Sequence, residues 1–117
     1  MAQELNIWNN MVGLTLSDFN RTLQPNSTGG SDHAWGSHQI VFGGPVSGGN
    51  IFGTFPILML AGPDDIDGEG RLLPTTSLTQ VGAESALWFG VPSSSLPQVF
   101  PNLANLSNPK VGFIKSS

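Results

Sequence analysis

At 117 residues the chain has room for one domain, or part of one, with a single modest core. Charged residues make up 10% of it and the net charge is −4, with the four basic residues, Arg21, Arg71, Lys110 and Lys115, spread singly. That excludes the clustered Lys and Arg required by a nucleic-acid backbone or an anionic membrane surface. The absence of cysteine excludes disulfides and thiolate metal sites.

Fifteen Gly and nine Pro beside 38% apolar residues predict a loop-rich chain, while the Trp and Phe content argues against disorder. The start, MAQELNIWNN, has neither the basic opening nor the apolar core of a signal peptide. Residues 2–8 read as the last turns of a helix, with Leu5 and Trp8 on one face. MVGLTL (Met11–Leu16) reads as a short buried strand that ends at Ser17-Asp18. From Phe19 to Ser37 turn formers dominate, above all Pro25-Asn26-Ser27-Thr28-Gly29-Gly30. QIVF (Gln39–Phe42) reads as a second strand, stopped by Gly43-Gly44-Pro45. SGGNIFGTFPILML then suggests a tight turn and extended chain, limited by Pro56 to an edge or irregular strand. Its apolar run around Ile51–Ala61 is too short to span a bilayer and contains Gly53 and Pro56. The chain therefore reads as soluble.

Four of the eight acids fall in PDDIDGEGR (Pro63–Arg71), which reads as a solvated acidic loop. The clearest helix follows. Ser77 with Gln80 has the form of a capping box, Leu78, Val81, Ser85, Trp88 and Phe89 lie along one helical face, and Gly90 then Pro92 end it. The last segment carries Pro97, Pro101 and Pro109 and closes on a short VGFI strand.

The cluster that invites chemistry is GGSDHAWGSHQIVFGG (Gly29–Gly44). It holds Asp32 and both histidines of the chain, His33 and His38, which are hard-to-borderline ligands suited to Zn²⁺, Mn²⁺ or Fe. Their spacing is not a helical i, i+4 pair, and on a strand Asp32 and His33 would face opposite ways. A glycine-flexible loop must then hold the site; the competing reading is a polar loop whose histidines are merely solvated. Asp18 sits where a strand ends, the place where open α/β sheets bind ligands, although Asp is also an ordinary turn residue there. Arg21 could meet an anionic substrate or simply pair with Asp18. Asp65, Asp67 and Glu69 faintly suggest a calcium loop, but Thr76 stands where the bidentate Glu is needed. Ser93-Ser94-Ser95 has no nearby His and no nucleophile-elbow glycines.

The run LTLSDFNRTLQPNSTGGSDHAWGSHQIVFGGPVSGGNIFGTFP resembles a large bacterial family of unknown function within the alkaline phosphatase and sulfatase superfamily, whose members are often exported by a twin-arginine signal. The family pattern is a Ser-Glu/Asp-Phe-Gly-Arg-Thr element, then Gly-x-Asp-His-Gly/Ala-Trp-Gly, a further His, a hydrophobic strand and Gly-Gly. GRLLPTTSLTQVGAESALWFGVP and LPQVFPNLANL fit the closing region of the same family, so the resemblance covers nearly the whole chain. One departure is Asn20, where the family has Gly.

The resemblance implies an α/β fold: a partial alkaline-phosphatase-like sheet, loop-rich, with one clear helix at residues 77–89. It implies a divalent metal, zinc or manganese, with Asp18, Asp32, His33 and His38 as ligands and Arg21 as a substrate-binding residue. Residues 1–117 then read as one C-terminal portion of a longer domain, whose parent would be periplasmic or exported. The nucleophile and the remaining ligands would lie elsewhere in that domain. The function expected is thus a fragment of a metal-dependent hydrolase-like protein for phosphate or sulfate esters, inactive alone. The alternative is a non-catalytic structural or self-assembling module. Apolar strands without gatekeeping charge also predict self-association, or a partner chain supplying the missing part.

Overall fold

A computed structural model describes residues 1–116. The chain divides into two units. One comprises Met1–Leu14, Val41–Gly53 and the chain from Thr76 on, and the other comprises Thr15–Ile40 and Thr54–Thr75. The architecture is mixed α and β and loop-rich, as expected, and its sheet content takes the form of small antiparallel ribbons.

In the first unit, Val12–Leu14 (β1) pairs with Val41–Gly43 (β4), Val12 opposite Gly43 and Leu14 opposite Val41. Both expected strands exist, each shorter than the sequence suggests; β1 is half-buried rather than buried, and β4 starts later and takes in Gly43. Residues 2–8 hold a single helical turn rather than a full helix: the Leu5 N–H donates to the Met1 carbonyl at 3.0 Å, and Asn6, at a φ of 54° with the Ile7 N–H on the Ala2 carbonyl at 3.0 Å, closes it before a 3₁₀ segment at Trp8–Asn10.

The predicted helix is present as Leu78–Phe89 (α1). Ser77 accepts from the Thr79 N–H at 3.1 Å, the Gln80 side chain accepts from the Ser77 N–H at 3.0 Å, and Gly90 closes the helix at a φ of 105°. The face that packs is not the one with the largest side chains. The buried face carries Ala83, Ala86 and Leu87, packed with Leu96, Leu103, Val91, Phe100 and Leu106 around the short helix Leu96–Val99 (α2) and the 3₁₀ turn Pro101–Asn105. The large-residue stripe lies on the other side: Leu78 is 44% and Phe89 83% exposed, with Val81, Ser85 and Trp88 half-buried. Small residues explain the choice. A Cβ on Gly82 would lie 2.8 Å from the Phe100 ring, so glycine there lets that ring approach the helix closely.

The VGFI segment forms an isolated bridge, Ile114 to Val46, rather than a full strand. It is nonetheless firmly seated. Phe113 is 1% exposed, with its ring edge-on to Phe52 at 6.3 Å. Glu84 of α1, only 4% exposed, accepts the backbone N–H groups of Val111, Gly112 and Ile114 at 2.7, 2.6 and 2.8 Å.

In the second unit, the stretch expected to be loop holds a hairpin. Asn20–Pro25 (β2) pairs antiparallel with Ser31–Ala34 (β3), Asn20 opposite Ala34 and Arg21 opposite His33. The PNSTGG turn chemistry is its connection: Asn26 Oδ1 accepts from the N–H groups of Thr28 and Gly30 at 3.1 and 2.9 Å. Thr22 and Ala34 are the hairpin's buried positions. Residues 51–60 form no strand, and Ile51, Phe55, Ile57, Leu58, Met59 and Leu60 are all exposed. Among the described residues no helix is long and apolar enough to cross a membrane.

Candidate functional site

The β2–β3 hairpin draws together two motifs ten residues apart in the chain. Because Arg21 stands opposite His33, their side chains share one face of the ribbon. The Phe19 ring lies between them in contact terms: 4.7 Å from the His33 ring, tilted by 39°, and 5.1 Å from the Arg21 guanidinium carbon. Arg21 also donates to the Ser31 carbonyl at 3.1 Å, and among the described residues it makes no ion pair. The alternative in which Arg21 neutralises Asp18 is not the one adopted.

Asp32 is the next residue on β3 and points to the opposite face, as strand alternation requires. Its carboxylate accepts from Asn26 Nδ2 at 3.0 Å, and its backbone N–H donates to Thr22 Oγ1 at 3.1 Å. Asp18 lies exposed in the bend just before β2. His38 lies beyond β3 and stacks its ring on Phe55 at 4.7 Å. Thus Arg21 and His33 meet, Asp32 shares their hairpin from its other face, and His38 has an aromatic partner of its own. Among the described residues no three His, Asp or Glu side chains gather into a group that could hold an ion. The donor types fit a borderline divalent metal, while their placement asks for ligands beyond these.

The acidic loop is more organised than a solvated turn. Asp65 Oδ1 accepts from the Gly70 N–H at 3.0 Å and its Oδ2 from the Ala61 N–H at 2.8 Å, while Asp64 accepts from the Ile57 N–H at 2.8 Å. Partial burial alone would raise the Asp65 pKa. The N–H groups of Ala61, Gly70, Asp67 and Gly68 outweigh it and hold the carboxyl below its ordinary value. Arg71 pairs with Asp67 and, at 2.6 Å, with Glu69. Its hydrogen bond lowers the pKa of Asp67, and the two carboxylates raise that of Arg71.

Arg71 is the residue that sequence reasoning undervalued. Its Nε donates to the His33 carbonyl at 3.2 Å, tying the acidic loop to β3, and Gln24 N–H donates to the Glu69 carbonyl at 3.0 Å. A lone Arg directly after four acids was the available signal. This unit holds six carboxylates against two arginines, which is the whole of the chain's net charge of −4. Its potential therefore favours cations, with Arg21 as a local exception.

A protein family described as "Protein of unknown function (DUF1501)" matches residues 3–66, more than half of the chain. Neither a curated protein nor a solved structure matches it.

Proposed function

The chain belongs to the DUF1501 family, and from that premise we propose that it is part of a metal-dependent, hydrolase-like site for phosphate or sulfate esters, related to the alkaline phosphatase and sulfatase superfamily and inactive by itself. The observation that supports this most is the hairpin pairing. It sets Arg21 directly opposite His33 and leaves the Phe19 ring 4.7 Å from the His33 ring. Asp18, Asp32, His33 and His38 are the metal ligands of this reading, and Arg21 meets the anionic group of the ester. Zinc or manganese would supply Lewis-acid activation once further ligands complete the site. The excess of carboxylates in the same unit favours a divalent cation there.

Titration calorimetry with Zn²⁺ and Mn²⁺ tests the metal reading: weak binding is expected for the wild type and a clear loss for His33→Ala. Equal heats would remove the ligand. Aryl phosphate and aryl sulfate assays test the rest. No appreciable turnover is expected from these residues alone, since covalent catalysis needs an activated nucleophile beside the metal. Robust hydrolysis abolished by Asp32→Ala would overturn the inactivity while keeping the chemistry.

A second reading, a non-catalytic structural or self-assembling module, is supported by the exposed Leu78 and Phe89 of α1 and by the exposed apolar run at 51–60. Sedimentation across a dilution series tests the self-assembling form: a compact monomer at micromolar concentration removes it and leaves the first reading standing.

A further inference from the structure

Independently of that reading, and in the other unit of the chain, we propose that Val111–Lys115 is a strap that opens as a unit of its own and that the Glu84 carboxylate is the clasp holding it shut. The strap has little regular secondary structure to keep it in place. Its sheet pairing is the single bridge of Ile114 to Val46. Its other ties on that side are the Lys115 N–H to the Pro45 carbonyl at 2.9 Å and the Ser47 N–H to the Phe113 carbonyl at 2.8 Å, with Lys115 Nζ on the Gly44 carbonyl at 2.7 Å.

On the helix side three strap amides converge on one side chain. Val111 and Gly112 both donate to Glu84 Oε2, at 2.7 and 2.6 Å, and Ile114 donates to Oε1 at 2.8 Å. Successive N–H groups can aim at one oxygen only where the backbone curls, and Gly112 supplies the curl with a φ of 94°. The arrangement is a small anion-binding nest whose anion comes from α1. Donor and acceptor lie 27 to 30 residues apart. The contact is therefore tertiary, and one side chain carries it.

Two features make the clasp separable from the core beneath it. The apolar cluster under α1, Ala83 with Leu96 and Leu103, contains no strap residue, and the strap's buried Phe113 forms a separate part of this unit's core. The strap's own anchor is Phe113, which packs with Phe52 rather than with that cluster. Opening therefore exposes the Phe113 seat, the Glu84 carboxylate and the backbone groups of Pro45 and Ser47. The apolar cluster that holds α1 against Leu96 and Leu103 is not part of that opening.

The test is amide hydrogen exchange on the full chain. In wild type under low denaturant, the amides of Val111, Gly112 and Ile114 should exchange through an opening less sensitive to denaturant than that of the α1 amides of Ala83–Leu87. Glu84→Gln keeps the volume but turns an NH₂ group toward strap N–H donors. It should accelerate the three strap amides tenfold or more while they keep a denaturant dependence below that of the α1 amides. Unchanged strap rates in E84Q would overturn the proposal, as would strap amides that share the α1 denaturant dependence. If E84Q does not fold, the wild-type series decides: strap and α1 amides sharing one denaturant dependence at every concentration would overturn it.

Discussion

Glu84→Ala removes a buried carboxylate that three amides share, and its cost can be worked from the geometry. Hydrogen bonds to a charged group contribute about 1.5–3 kcal/mol each, so three of them at 2.6–2.8 Å represent roughly 4.5–9 kcal/mol. That figure is already net of withdrawing the carboxylate, only 4% exposed, from water. Water limits the damage, because Gly112 is exposed and Val111 and Ile114 are half-buried, so not every orphaned amide stays dry. The expected net loss is about 2–4 kcal/mol. Gly112→Ala should cost about 1–2 kcal/mol by itself, since its φ of 94° is unfavourable to any Cβ. Chemical denaturation of the two single variants and the double variant forms a cycle. Once Glu84 is gone the curl has nothing to present its amides to, so Gly112→Ala should cost under about 0.5 kcal/mol in the Glu84→Ala background. Additive losses, or a Glu84→Ala loss below about 1 kcal/mol, would refute the reasoning.

Ser77→Ala should lower stability by about 1 kcal/mol in the same assay, through loss of the cap on Thr79 and of the capping box with Gln80. The acidic loop should respond to pH with a definite sign. Asp65 and Asp67 both titrate below the ordinary value of 3.8, so their contribution is present in full above it and is lost as pH falls through the lowered folded values. Exchange of the Gly70 and Ala61 amides should rise across that interval beyond the intrinsic trend, and a flat response would contradict the geometry. On the self-association reading, Phe89→Glu at the exposed end of α1 should weaken that association by tenfold or more in sedimentation without changing the melt. Unchanged association would place the contact elsewhere.

What could be read from the sequence was local. The helix from Leu78 to Phe89 announced itself through Ser77, Gln80 and Gly90, signals a few residues apart that need no tertiary information. Its orientation was not legible: Leu78, Trp88 and Phe89 dominate any count of apolar side chains, yet close approach by Phe100 and Leu103 selected the small-residue face at Gly82 and Ala83. The hairpin was hidden for a related reason. With Thr22 and Ala34 its buried positions, β2 and β3 carry little apolar alternation, and the turn chemistry at Asn26–Gly30 was legible without the strands that flank it. Asp32, His33 and Arg21 could be picked out as chemical types, and strand alternation foretold that Asp32 and His33 would diverge. The pairing of Arg21 with His33, the stacking of His38 on Phe55 and the clasp of Glu84 are long-range facts that residue spacing does not encode.

The central claim, that Asp32, His33 and His38 serve one divalent metal, is tested most directly by the imidazole resonances of the two histidines during a Zn²⁺ titration. The account predicts that His33 and His38 shift together and saturate at one equivalent, and that Asp32→Asn weakens the response of both. Two histidines that shift independently, or a joint response indifferent to Asp32→Asn, would contradict it.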